Sequence, residues 1–222
     1  METVRLLPLS SGKLPFKKCR KPVSSMPSHA LCFEGYFSYC YSDKSETRPW
    51  TTDILRLHNH YRSQLALGHL ADFPATGNML EMCWDNQLAE VAQALAERCS
   101  TPEGIVSHDR QDDRTTLPLL KVGQNLFSQR APFTTKTVAI KWHFFVRHWF
   151  DEKYLCSPSK AEKYEAVKGT KYSTQVAWAR SYAVGCGFTY NFVHPNVQES
   201  NDPNEGAFRM SIYVATTRRP AT

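Results

Sequence analysis

The sequence predicts an α+β fold. Amphipathic helical segments come first, alternating β-rich segments follow, and no strand–helix–strand repeat is present to build a parallel sheet. No internal repeat is visible either.

Residues 1–50 read as an irregular, Pro-, Ser- and Lys-containing extension holding Cys19, Cys32 and Cys40, and residues 51–222 as one domain. Thr52 or Asp53 is placed to cap a first helix with Ile54, Leu57, Tyr61 and Leu65 on its apolar side, stopped by Gly68. The stretch "ADFPATGN" is rich in turn formers and reads as a loop. Asp85 is placed to cap a second helix with Leu88, Ala92, Leu95, Ala96 and Cys99 on one face. Residues 100–120 are polar and read as a loop, and "KVGQNLF" reads as a short strand. Thr134 or Thr135 opens a third helix carrying Val138, Trp142, Phe145, Trp149 and Phe150, with Glu152 beside Trp149 on its surface. "YAVGCGFTYNF" and "AFRMSIYVATT" alternate as strands, with "NDPNEG" as the turn between them.

Composition narrows the function classes. The 222 residues are 41% hydrophobic and 12% aromatic, enough for one ordered core. No apolar run of about 18 residues exists to span a membrane. The opening "METVRLLPLSSGKLPFKKCRK" lacks the sustained apolar stretch of a signal peptide. Seven cysteines without a C-x-x-C pair nevertheless favour an oxidising, extracellular setting, and their odd number leaves at least one thiol over. The net charge is +6, of which residues 1–22 carry +5. Such a segment suits a solvated tail, a trimmed propeptide, or contact with anionic glycans or membranes. Aromatics are not interleaved with a basic stripe, which argues against nucleic acid. No N-x-S/T acceptor for N-glycosylation is present.

Several motifs then fall in order: "ILRLHNHYR", "MCWDNQLAEVAQALAERCS", His108-Asp109, "VGQNL", "WFDE", "STQVAW" and "VGCG". Together they resemble the CAP superfamily of cysteine-rich secretory, antigen-five and pathogenesis-related proteins, over roughly residues 50–190. "CRKPVSSMPSHALC" is most similar to the cysteine loop before the domain in arthropod antigen-five venom allergens. The resemblance implies a three-layer α-β-α sandwich with a disulfide-pinned N-terminal extension. It implies that Cys19 pairs with Cys32 and Cys40 with Cys99, each bond stabilising by about 3 kcal/mol. The family's further cysteine after the "HD" motif is replaced by Gln111, and its last-strand partner for the "VGCG" cysteine is missing, which leaves Cys83, Cys156 and Cys186 without an assigned pairing.

The family cleft holds two histidines and two acids, and the histidines bind zinc in several relatives. By motif the four positions here are His108, Gln124, Glu152 and Tyr172. Tyr172 stands where the second histidine is usual, and Gln124 where a carboxylate is usual. A phenol of ordinary pKa near 10 is a poor zinc ligand, so neither a metal nor another cofactor is expected. The four groups instead suit a hydrogen-bonded cleft. The resemblance implies a secreted, non-enzymatic protein that binds a small lipid (fatty acid or sterol) or a host or tissue protein. The rival readings are a hydrolase using His108 and Glu152, with Ser173 nearby, and a scaffold acting through its surface loops. His58 and His60 point to different sides of a helix, and His58, Asn59 and Arg62 read as braces of the fold. The aromatics Trp142, Phe144, Phe145, Trp149 and Phe150 read as core or as the lining of a lipid cavity.

Overall fold

The computed structural model describes residues 40–41, 47–71, 73–98, 106–115, 120–132, 140–156, 168–193 and 208–220. Cys19, Cys32 and Cys99, and with them both expected disulfides, lie outside these residues, as does the basic segment 1–22.

Strand β1 (Cys40–Tyr41) leads into helix α1 (Thr47–Ala66). The helix starts earlier than the capping positions Thr52 and Asp53 suggest. Pro49 falls in its first turn, where backbone amides have no helical partner to lose. Gly68 ends the turn after α1 with φ +67°, a conformation that suits glycine. Strand β2 (Cys83–Trp84) and helix α2 (Asn86–Glu97) follow. Asp85 caps α2 as expected: one carboxylate oxygen accepts from the amides of Gln87 and Leu88, and the other pairs with Arg218 at 2.6 Å.

The region read as a polar loop contains a short helix, α3 (Gln111–Arg114). Strand β3 (Leu120–Pro132) is nearly twice as long as "KVGQNLF". It pairs along its whole length with the last strand, so cross-strand hydrogen bonding carries it through the polar Ser128-Gln129-Arg130. Helix α4 (Trp142–Asp151) begins at Trp142, with Ile140 and Lys141 not helical; the expected start at Thr134 or Thr135, with Val138, lies outside the described residues. A 3-10 turn (Glu152–Leu155) extends it, then come helix α5 (Lys171–Ala177) and strands β4 (Ala183–Val193) and β5 (Phe208–Pro220). Ser173 sits in the first turn of α5.

The sheet order is β1-β4-β5-β3, with β2 joining β4 in parallel. Its two faces bury different helices, giving the α-β-α layering. Met210, Ile212 and Val214 of β5 pack with Ala92, Leu95 and Ala96 of α2. Tyr213 and Ala215 point the other way, joining Val184, Cys186 and Phe188 of β4 under α1 and α4. The α2 face of β4 is made by Gly185 and Gly187. A Cβ on either would collide with the α2 backbone at Ala89 or Gln93, so the two glycines let the helix lie directly on the sheet.

Of the helical aromatics, Trp142, Phe145, Trp149 and Phe150 are buried in the core, whereas Phe144 is 48% exposed. Cys186 is buried opposite Ala215, and β5 holds no cysteine to pair with it, while Cys83 is exposed; both are free thiols. Burial pushes the Cys186 thiol well up. No helix among the described residues is long and apolar enough to cross a membrane.

The braces read from the first helix are built as follows. Asn59 exchanges two hydrogen bonds with the backbone of Met82, both at 2.9 Å. Arg62, 1% exposed, donates to the carbonyls of Leu80, Val176, Trp178, Ala179 and Ser181. Burial lowers its pKa to about 10, so it remains charged. His58 is fully buried, with Nδ1 at 2.9 Å from the Ile54 carbonyl. Burial above all lowers its pKa to about 4, with Arg62 adding to the effect and the Ile54 carbonyl opposing it.

Arg62→Ala leaves several buried carbonyls unpaired and is expected to cost about 3–5 kcal/mol in denaturant unfolding. Arg62→Lys recovers little of this, because an ammonium lacks the planar fork. His58 gives an acid-dependent term. Its folded pKa of about 4 lies below the ordinary 6.5, so the unfolded chain takes up the proton first as pH falls. The stability present above pH 6.5 is lost progressively down to about pH 4, by about 3 kcal/mol. Urea melts across this window should show a shallower pH slope in His58→Gln than in the parent protein.

Candidate functional site

The four motif-derived positions meet at one edge of the sheet. Gln124 lies on β3, His108 on the segment before α3, Tyr172 on α5, and Glu152 at the end of α4. His108 Nδ1 is 2.9 Å from Gln124 Oε1. Tyr172 Oη is 3.4 Å from His108 Nε2, a long contact. Glu152 joins through backbone: its Oε2 accepts from the amides of Tyr172 at 2.7 Å and Ser173 at 3.1 Å. The carboxylate thus satisfies the free amides at the start of α5. Ser173 Oγ donates to the Thr170 carbonyl at 3.1 Å and is buried.

Behind these groups lies a pair that the motif reading passed over. Gln124 Nε2 donates to Asp109 Oδ1 at 2.9 Å, and Arg114 Nη1 donates to the same oxygen at 3.0 Å. The Asp109 side chain is 1% exposed. Arg114 also donates to the carbonyls of Asp109 and Val122, at 2.7 and 2.8 Å, which ties α3 to β3. Asp109 was visible as the second letter of the "HD" motif, but Arg114 had no periodic signal to mark it.

This pair sets the polarity of the cleft. Asp109 accepts from the Gln124 amide nitrogen, so Gln124 Oε1 faces His108. His108 Nδ1 therefore carries the hydrogen, and in the neutral ring Nε2 is the acceptor for the Tyr172 hydroxyl. Burial, then the Glu152 charge, pushes the Tyr172 phenol up, so it stays protonated at neutral pH. Burial also raises Glu152, while the Ser173 and Tyr172 amides and His148 pull it back. No hydrogen bond joins His108 to Glu152 among the described residues.

The donor set does not fit zinc. Both imidazole nitrogens face protein groups, the second histidine position is a protonated phenol, and one Glu152 oxygen is taken by two amides. Among the described residues no group of three or more His, Cys, Asp or Glu side chains is gathered for a metal.

On the other side of α5 lies a cleft of about 860 Å³ that the sequence did not disclose. Residues 73–79, the end of α1, the end of α4 and residues 173–180 line it. Of the helical aromatics, only Phe150 reaches it.

Residues 55–197 match the family described as CAP: Cysteine-rich secretory protein family. The chain belongs to the CAP family. It is 30% identical over 203 residues to venom allergen 5 of Tityus serrulatus, covering 85% of this chain and 46% of that protein. It is 32% identical to the cysteine-rich venom protein helothermine of Heloderma horridum horridum, covering 63% and 49%. It is 30% identical to salivary antigen-5 of Dipetalogaster maximus, covering 62% and 53%. The chain thus spans about half the length of these CAP relatives. The fold is shared with venom allergen-like protein 4 of Schistosoma mansoni, at TM-score 0.53 and 16% identity over 78% of this chain and 88% of that one. It is also shared with NaASP2 solved with Zn2+, at TM-score 0.54 and 19% identity over 79% and 82%.

Two substitutions separate the strong from the weak links of this CAP cleft. Asp109→Ala strips Arg114 and the Gln124 amide of a buried partner and should cost about 3–5 kcal/mol in chemical denaturation. Tyr172→Phe keeps the half-buried ring and removes only a long contact, and should cost less than about 1 kcal/mol. Nitrogen-15 spectra of the imidazoles should show His108 protonated at Nδ1 in its neutral form.

Proposed function

We propose that this CAP chain, with residues 51–222 as its domain and 1–50 as an extension, is a secreted, non-enzymatic protein of the antigen-five type. It acts outside the cell by holding a small lipid or a protein target, and the lipid is the better supported of the two. The observation that carries this reading is the 860 Å³ cleft between α1, α4 and α5. Its volume falls in the ~300–1,000 Å³ range of small-molecule sites, and Leu65, Phe73, Met79 and Phe150 give it an apolar lining. The names of its relatives, among them a venom allergen and a salivary antigen-5, support an extracellular role.

The geometry at the sheet edge weighs against hydrolysis. Glu152 is engaged as a helix cap, Ser173 is buried on a carbonyl, and the Tyr172 phenol remains protonated. Neither Glu152 nor Ser173 is presented as a nucleophile with a base within reach, and the Tyr172 hydroxyl meets the His108 ring only in a long 3.4 Å contact. Disulfide-oxidised protein should take up one fatty acid or sterol per chain in native mass spectrometry, and His108→Ala should leave uptake unchanged. Ester or peptide turnover abolished by His108→Ala would overturn the reading in favour of a hydrolase.

A further inference from the structure

Zinc is the ion that the family resemblance implies for the cleft at the edge of β3, and the donor set here does not fit it. Two of the four positions depart from the family pattern, Gln124 and Tyr172. They do so with different consequences.

Gln124 still serves His108. Its amide is held at both ends: Nε2 donates to Asp109 Oδ1 at 2.9 Å, and Oε1 meets His108 Nδ1 at 2.9 Å. Asp109 is held in turn by Arg114, which donates to the same oxygen at 3.0 Å, and the Asp109 side chain is 1% exposed. An oxygen that accepts from one imidazole nitrogen fixes the tautomer and leaves the other nitrogen as the ligand, which is the role of the groups behind a metal-binding histidine. A carboxylate at 124 would do the same beside the buried carboxylate of Asp109, with Arg114 as their shared counter-charge. The neutral amide orients His108 without that second charge.

Tyr172 acts on the nitrogen that Gln124 leaves over. Its hydroxyl lies 3.4 Å from His108 Nε2, and the two ring centres are 5.8 Å apart. A zinc ion on Nε2 would sit about 2.0–2.1 Å from that nitrogen, inside the space the phenol fills. The tyrosine is fixed from behind. Its amide donates to Glu152 Oε2 at 2.7 Å, its carbonyl accepts from Asn125 Nδ2 at 3.1 Å, and its ring packs against the core layer under α1 and α4. Burial and the Glu152 charge keep the phenol protonated, so it offers a metal no negative charge.

We infer that Tyr172 alone keeps zinc out of this cleft, and that Gln124 and Asp109 hold His108 in the form a metal would need. Tyr172→Ala would clear the space in front of Nε2, but only Tyr172→His both shortens the side chain and supplies a second imidazole.

The test is zinc titration of the full oxidised chain by calorimetry, in a Cys83→Ser background that removes the exposed thiol as a competing ligand. The parent should take up no zinc through His108, and its melting temperature should be the same in zinc and in chelator. Tyr172→His should bind zinc and melt higher in zinc than in chelator, and a further His108→Ala should abolish both effects. Gln124→Glu by itself should leave zinc unbound. Gln124→Ala added to Tyr172→His should weaken zinc by about 10–100-fold, the loss expected when the group behind a ligand is removed. Zinc uptake by the parent that His108→Ala abolishes overturns the inference, as does uptake that appears with Gln124→Glu. No uptake by Tyr172→His, with a circular dichroism spectrum matching the parent's, overturns the assignment of the block to Tyr172 alone. An affinity indifferent to Gln124→Ala overturns the orienting role of Gln124.

Discussion

One guanidinium organises the part of this molecule where function is expected. Arg62 leaves α1 and spends its donors on backbone carbonyls of residue 80 and of residues 176–181. Both segments are irregular, and irregular backbone needs partners outside itself. A buried cation is costly without compensation, and here the compensation is a set of carbonyl dipoles rather than a carboxylate. The arrangement works in both directions: the loops neutralise Arg62, and Arg62 gives the loops one conformation. The wall of the cleft that carries Trp178 and Arg180 inherits its position from this contact.

The sheet sets the second constraint. Both of its faces are covered, so β5 has no solvent side, and residues of either parity must be apolar or hydrogen-bonded. Thr216 illustrates the polar solution, donating from within the core to the Leu88 carbonyl. Gly185 and Gly187 draw α2 onto one face, while the opposite face accepts the thicker aromatic layer of α4. The polar cluster of His108, Gln124 and Asp109 falls at β3, an edge strand among the described residues.

Much of this was legible in the sequence because it is local. Asp85 as a cap, Gly68 as a stop and the apolar spacing of α2 are each decided within a turn or two of chain. What escaped was decided by partners far away. The full length of β3 follows from its pairing with β5, and the start of α4 at Trp142 is not marked by any capping side chain. The four cleft positions do converge, but motif alone could not reveal how. Glu152 looked like a free carboxylate and is bonded to the amides of α5. Gln124 looked like a lost charge, yet the buried charge at this place belongs to its neighbour Asp109, held by Arg114. The 860 Å³ cleft had no sequence signature, because its walls come from four separate stretches that are individually ordinary.

The distance along the chain between Arg62 and its partners has a consequence for how the protein is made. The carbonyls of Val176 and Ser181 are 114 and 119 residues downstream. At ribosomal rates of about 5–20 residues per second, on the order of ten seconds separate the synthesis of the cation from that of these last acceptors. Throughout that interval Arg62 has only the Leu80 carbonyl of its final set to pair with. The closing of this long loop is a late event. A nascent chain interrupted before residue 176 holds a first helix that can already pair with the backbone of residues 80 and 82, but without the carbonyls that complete the shell of Arg62.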